Sequence, residues 1–259
     1  MAPMSRPRRQ IALHALVPVA LLATLAACDS KESPVAQPAA RPSAAPAAEE
    51  PPPRSPPVLA VDDVSPLVRG NRGMLTDGSG KADPLGLAQL KKDLSAEKEF
   101  LAGKELTITV DRKARPEWVA TFVEELASFG PTRVWLETST RPDYPGKLEA
   151  ISQADLKTAA PCSLVGAITA DRGTAIWRVN GGTARKRGRG MGGPDLTMTG
   201  DTIVSMAKGC KSDLFVVGGA EGVEWGLVHD LAASGLSLEK AGLRRVHVPV
   251  QRPVPGNRL

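Results

Sequence analysis

Three kinds of residue in this 259-residue chain could do chemistry: the cysteines, the histidines and one dense run of cations. The cysteines are Cys28, Cys162 and Cys210; the histidines are His14, His229 and His247. A zinc site needs three or four convergent ligands. No Cys or His pair has ligand spacing here, and no His-Glu motif accompanies them, so no metal is expected. His229 stands beside Asp230, and Ser205 or Ser234 would complete a nucleophile, base and carboxylate. Adjacent residues on a helix do not face each other, so His229 and Asp230 cannot act as base and orienter. Gly188-Arg189-Gly190-Met191-Gly192-Gly193 has dinucleotide-loop spacing, but a basic loop precedes it and Pro194 follows, where the fingerprint needs a strand and then a helix. The run 77–83 faintly resembles a calcium loop but lacks its third oxygen ligand, the Gly at the sixth position and any distal Glu. No cofactor and no enzymatic activity are therefore expected, with a hydrolase of unrecognised type as the enzymatic alternative. Arg185, Lys186, Arg187 and Arg189 remain. They read either as a solvated loop or as an anion contact, for phospholipid headgroups, anionic wall polymer or an acidic partner.

Arg6, Arg8 and Arg9 precede an apolar run from Ile11 to Ala27 that closes on Leu25-Ala26-Ala27-Cys28. A basic start, an apolar middle and small residues before a cut are the parts of an export signal. The stretch resembles a bacterial lipoprotein signal peptide, 1–27. An uncleaved membrane helix is the alternative, although about 17 residues with a His and a Pro is the lower edge of a bilayer span. The resemblance implies that Cys28 becomes the first mature residue and carries acyl chains such as palmitate. Several such chains give near-permanent anchoring. Asp29 resembles a signal for the inner rather than the outer membrane. Removing the leader removes three Arg and no acid, taking the formal charge from +5 to +2. Overall basicity is then no argument for nucleic acid. In an oxidising compartment the expected use of Cys162 and Cys210 is a disulfide, with two unrelated buried thiols as the alternative.

From Pro34 to Pro57 there are nine prolines, seven alanines and no glycine. Proline lacks the amide donor and fixes φ, so 28–57 reads as an extended tether. Residues 58–82 are ambiguous: Val58 to Val61 fits a strand and Asp77 to Gly80 a turn. Asp83-Pro84 opens a helical pattern that ends before Gly103. Leu106 to Val110 alternates as a strand. Pro116 starts a helix with Trp118, Val119, Phe122, Val123 and Leu126 on one face. Arg133 to Glu137 is a strand. Residues 163–179 form a hairpin turning at Asp171-Arg172-Gly173, and a loop rich in Gly and Arg follows. A helix near 195–208 is capped by Thr199 or Asp201. Leu214 to Val217 is a buried strand, Val223 to Ala233 a helix, and Arg245 to Val250 the last strand.

The two halves overlay. A strand ends at Val110 and Glu117-Trp118 opens a helix; a strand ends at Val217 and Glu224-Trp225 opens a helix. The second half, from Ile168 through Asn180-Gly181 and Trp225 to Ala241-Gly242-Leu243-Arg244-Arg245-Val246, resembles the periplasmic domain of the ExbD/TolR biopolymer transport family. The first half, with Ser128-Phe129-Gly130 before its strand, matches the later part of that pattern. The family's membrane helix and proton-handling Asp have no counterpart here. The resemblance implies an α+β fold of two tandem modules, 58–150 and 151–259, each a small mixed sheet with two helices on one face. It implies dimerisation, docking of a partner strand on a sheet edge, or a hold on peptidoglycan. The expected function is a lipid-anchored periplasmic binding module, accessory to an envelope transport or energy-coupling complex. Its partner would be a motor or channel subunit or a strand donor, with no nucleic acid. The alternative is a wall-anchoring lipoprotein without a transport role.

Overall fold

The structure, a computed structural model, describes residues 53–73 and 83–259. The expected leader 1–27, the acylation site Cys28, most of the tether 28–57 and the turn at Asp77–Gly80 lie outside the described residues. Strands β1 (Leu59–Val61), β2 (Pro66–Val68) and β3 (Asn71–Arg72) form an antiparallel meander. Helices α1 (Pro84–Ala96) and α2 (Lys98–Leu101) lead to β4 (Glu105–Val110), α3 (Pro116–Ala127) and β5 (Arg133–Glu137). Strand β6 (Lys147–Ile151) and the short α4 (Gln153–Leu156) follow. A second meander is β7 (Leu164–Ile168), β8 (Thr174–Arg178) and β9 (Arg185–Arg187). A separate hairpin pairs β10 (Arg189–Gly190) with β11 (Gly193–Pro194). Helix α5 (Leu196–Ala207), β12 (Leu214–Gly219), α6 (Trp225–Leu236), a 3-10 turn at Glu239–Ala241 and β13 (Arg245–His247) complete the chain.

Eleven strands form one sheet, in the order β3-β2-β1-β4-β5-β6-β13-β12-β7-β8-β9. This corrects the expectation of two tandem modules with a small sheet each. The strand responsible is β6, which the sequence does not announce. It pairs antiparallel with β5 and parallel with β13, and so joins what would otherwise be two free edges. Its residues Lys147-Leu148-Glu149-Ala150-Ile151 include Glu, Lys and Ala, which are depleted in strands, and only neighbours on both sides make it one. From either edge inward the connectivity is the same: a three-strand meander, then two strands parallel to its first strand. Because β6 reverses direction against β5, the two parallel runs point opposite ways.

Local signals explain most elements. The Asp83 carboxylate accepts from the Leu85 N–H and Pro84 takes the first helical position of α1. The helix breaks at Glu97, whose buried carboxylate accepts from Arg69 at 2.7 and 2.9 Å and from Arg54 at 3.1 Å. All five apolar residues expected on the α3 face are buried. Helix α5 is capped by Asp195, not by Thr199 or Asp201: the Asp195 carboxylate accepts from the Met198 N–H. Thr199 instead points into the core, 2.6 Å from the Thr174 hydroxyl.

One face of the sheet carries α1, α3, α5 and α6 over a single apolar core that runs through both halves, from Leu59 and Ile108 to Phe215 and Val246. The opposite face is covered in the second half. There Ile151, Val165, Trp177 and Val216 form a smaller cluster, and the Trp177 Nε1–H donates to the Asn257 carbonyl of the last segment. In the first half that face is more open: Thr107, Thr109 and Glu137, with the half-buried Trp135 among them, alternate with the buried positions of β4 and β5. Such one-sided alternation is what an antiparallel or mixed sheet shows when one face meets water.

Helix α6 carries two interior glycines, Gly226 and Gly235, each costing about 0.5–1 kcal/mol relative to Ala. At Gly235 the reason is Phe215, whose ring fills the space between Gly235 and Gly166. A Cβ would stand 2.7 Å from the ring at Gly235 and 2.6 Å at Gly166. Gly235→Ala is therefore expected to lower stability by about 1–3 kcal/mol through overpacking. Chemical denaturation measures this, and an unshifted midpoint would mean that α6 does not rest on Phe215.

Candidate functional site

The cysteines expected to pair do so. Cys162 and Cys210 form a disulfide across a separation of 48 residues. They lie just before β7 and β12, so the bond ties the starts of two neighbouring parallel strands. A loop of that length is stabilised by roughly 4 kcal/mol in the chain-entropy account. The Ser163 and Ser212 hydroxyls meet beside it at 2.6 Å.

The basic cluster is not a loop. Arg185, Lys186 and Arg187 are strand β9, an outer edge of the sheet, and Arg189 belongs to the hairpin that follows. Register decides where each cation points. Arg185 and Arg187 lie opposite Ile176 and Thr174 and reach the helical face, where they donate to Ser205 Oγ at 3.2 Å and Thr202 Oγ1 at 3.1 Å. Lys186 lies opposite Ala175, whose side chain belongs to the other face. All four cations are exposed, and none forms an ion pair among the described residues. Charged side chains on an edge strand discourage pairing with another chain's strand. The same charges attract an anion.

A second group of ionisable residues lies where the two halves meet, and the sequence patterns give no sign of it. Arg112, from the loop after β4, places both terminal nitrogens on Asp230 of α6, at 3.0 and 2.8 Å. The Thr140 hydroxyl donates to the same carboxylate at 3.2 Å. Burial alone would push the Asp230 carboxyl up. His229 Nδ1 is 3.9 Å away, beyond hydrogen-bond reach, so we assign the net lowering, to well below the usual carboxylate range, to the Arg112 guanidinium and Thr140. Both ring nitrogens of His229 are buried without a hydrogen-bond partner. Its ring meets Trp225 edge-on at 6.0 Å between centroids. No serine hydroxyl is therefore within reach of His229, and the set of Ser205 or Ser234 with His229 and Asp230 is not assembled. Asp230 touches a cavity of about 300 Å³ whose other walls include Arg141, Tyr144, Gly193, Asp195 and Leu227.

His247 is fully buried on the lesser-covered face. Its Nδ1–H donates to the Ile151 carbonyl at 3.0 Å, and Nε2 faces the Gln153 side-chain amide at 3.1 Å. Burial is the leading influence and lowers its pKa, which keeps the ring neutral. Among the described residues, no group of three His, Cys, Asp or Glu side chains could hold a metal ion. No helix among them is long and apolar enough to cross a membrane. The Gly-rich run 188–193 forms the β10–β11 hairpin and its tip, with no strand-to-helix turn for a pyrophosphate.

Comparison with known proteins adds no relative: no family model, no curated protein and no solved structure matches the chain.

Two pH effects follow. The folded Asp230 titrates lower than the unfolded one, so its pairing stabilises fully above about pH 4 and is lost as pH falls further. Asp230→Asn should cost about 1–3 kcal/mol at pH 7, because charged hydrogen bonds are lost while the partly exposed Arg112 keeps access to water, and should weaken the acid dependence of stability. Equal acid sensitivity in parent and variant would show that the pair does not hold this joint. The folded His247 also titrates low. Its neutral ring costs nothing above about pH 6.5 and progressively destabilises the fold below it, because the unfolded chain takes up the proton first. In urea titrations between about pH 7.5 and 5.5, His247→Gln should show a smaller loss of stability than the parent.

Proposed function

We propose that the chain is an exported, lipid-anchored binding module of the cell envelope, accessory to an ExbD/TolR-type transport or energy-coupling complex, whose β9 edge holds an anionic partner. One observation carries the binding role: Arg185, Lys186, Arg187 and Arg189 are exposed on a sheet edge and its following hairpin, and among the described residues none forms an ion pair, Asp171 in the neighbouring turn acting on Lys186 only through space. A fold that needs these charges only for solubility would intersperse the two signs, since single-sign patches favour association with the opposite charge. The Cys162–Cys210 disulfide supports an oxidising compartment, because such bonds are rare where thiols are kept reduced.

The interior argues for binding rather than turnover. The charged groups that are buried are committed to structural partners: Asp230 to Arg112, and Glu97 to Arg69 and Arg54. A general base must sit within hydrogen-bond reach of the proton it takes. His229, whose ring nitrogens have no hydrogen-bond partner among the described residues, meets Trp225 edge-on instead.

Changing Arg185, Lys186, Arg187 and Arg189 together to Gln should weaken co-sedimentation with anionic vesicles or wall material at low salt by at least about tenfold, taking each charge near an anionic surface at up to ~1 kcal/mol. Unchanged sedimentation would remove the edge as a binding surface. In-cell crosslinking from Arg189→Cys, followed by mass spectrometry of the solubilised envelope, tests the accessory role. A multi-span channel subunit at the crosslink is the expected outcome. Wall fragments alone would make the chain an anchor.

A further inference from the structure

We propose that the β10–β11 hairpin is a membrane-contacting finger. Its tip residue Met191 enters the interfacial region of an anionic phospholipid bilayer while Arg185, Lys186, Arg187 and Arg189 hold the headgroups. The inference rests on the anion-binding role of the β9 edge and names the partner of that edge.

The tip itself is the first observation. Gly190 pairs with Gly193, which leaves Met191 and Gly192 as the two-residue turn, and Met191 is fully exposed. A large apolar side chain left exposed at the tip of a turn gains nothing from burial in the fold. Nothing packs against it: the glycines on either side have no side chains, and an added Cβ at Gly192 would meet no atom within 4 Å. Met198, in the first turns of α5, is a second large apolar residue left 45% exposed on the same segment.

The second observation is the charge behind the tip. The segment 185–201 holds four cations and two acids, Asp195 and Asp201. Asp195 is already committed to capping α5. Arg185 and Arg187 lie on one face of the edge and Lys186 on the other, and Arg189 follows in the hairpin, two residues before Met191. Arg178, Arg185 and Ser205 also line a cavity of about 420 Å³ behind the edge. Two guanidiniums and a hydroxyl suit the oxygens of a phosphodiester. An apolar tip backed by cations matches the layering of an anionic interface: acyl chains within, phosphates outside. A dissolved wall polymer would use the cations but gives Met191 no apolar phase to enter.

The test uses the full lipidated chain with an environment-sensitive fluorophore on Met191→Cys, reconstituted in phosphatidylcholine vesicles with or without about one-third phosphatidylglycerol. The expected result is a blue-shifted emission, several-fold brighter, with phosphatidylglycerol only. It should be absent from a control label on Val64→Cys, an exposed position in the first half. The fourfold Gln variant should abolish the shift. A water-like emission at position 191 in phosphatidylglycerol vesicles overturns the inference. So does equal binding of purified anionic wall polymer by parent and Met191→Ser in the absence of vesicle binding.

The Cys28→Ala chain, added from solution, separates this idea from the envelope reading. Partition into phosphatidylglycerol vesicles that Met191→Ser lowers roughly tenfold supports the finger even if the native chain proves unacylated. Loss of all partition in Cys28→Ala, together with a silent label in the anchored chain, overturns the finger while leaving the anchor intact.

Discussion

The fold turns on the start of α6. A helix begins with amide donors that have no partner of their own, and Glu224, at the capping position, offers no side-chain bond. Carbonyls of the other half supply it instead. The Trp225 N–H donates to the Ala114 carbonyl at 2.8 Å and the Gly226 N–H to the Arg112 carbonyl at 2.7 Å. The same loop then sends the Arg112 side chain back to Asp230, further along the helix. Gly226 is the condition for this closeness, since a Cβ there would stand 2.9 Å from Arg112 Nε. The Trp225 indole N–H completes the joint on the Thr138 hydroxyl at 2.8 Å. Separating the halves would strand two amides, an indole and a buried carboxylate, each costly to leave unpaired.

That dependence explains why one sheet forms rather than two. The repeated connectivity would allow each half to close its own core, but the helix face of the second half is capped, charged and hydrogen-bonded by the first. β6 then extends the sheet across the same boundary, and the main core becomes continuous. The corresponding tryptophans record the asymmetry. Trp118 opens α3 as Trp225 opens α6, yet its buried indole N–H has no partner. Its ring lies instead beneath the Arg115 guanidinium, 5.1 Å from ring centroid to charge, where a cation–π contact offsets part of the loss.

What the sequence disclosed follows from where the physics is local. The cap at Asp83, the apolar face from Trp118 to Leu126, the alternation of β4 and the Cys162–Cys210 pairing rest on nearby residues or on compartment chemistry, and they were legible. β6 was not, because its strand character comes from β5 and β13 on either side. β9 was read as a loop for a related reason. Three consecutive cations have no alternating pattern, and only the register with β8 shows that their side chains divide between two faces. The Arg112–Asp230 pair joins residues 118 positions apart, and no spacing rule reaches that far. The cap of α5 is Asp195, four and six residues before the Thr199 and Asp201 that the sequence suggests; Thr199 has the right chemistry for a cap but a partner in Thr174.

The two edges of the sheet differ in a way that bears on function. At one end β3 is two residues long and its turn, Arg69-Gly70, brings Arg69 back onto the buried Glu97. Charge at that edge is consumed by the fold. At the other end the β9 cations form no ion pair among the described residues, Asp171 acting on Lys186 only through space, and the strand leads directly into a hairpin whose tip is apolar. Edge protection alone requires charge, and both edges have it. It does not require that the charge lack an ion pair, nor that a methionine stand exposed in the turn that follows. That excess at β9 is what the proposed binding role rests on, and the joint at α6 ties the half that carries it to the rest of the sheet.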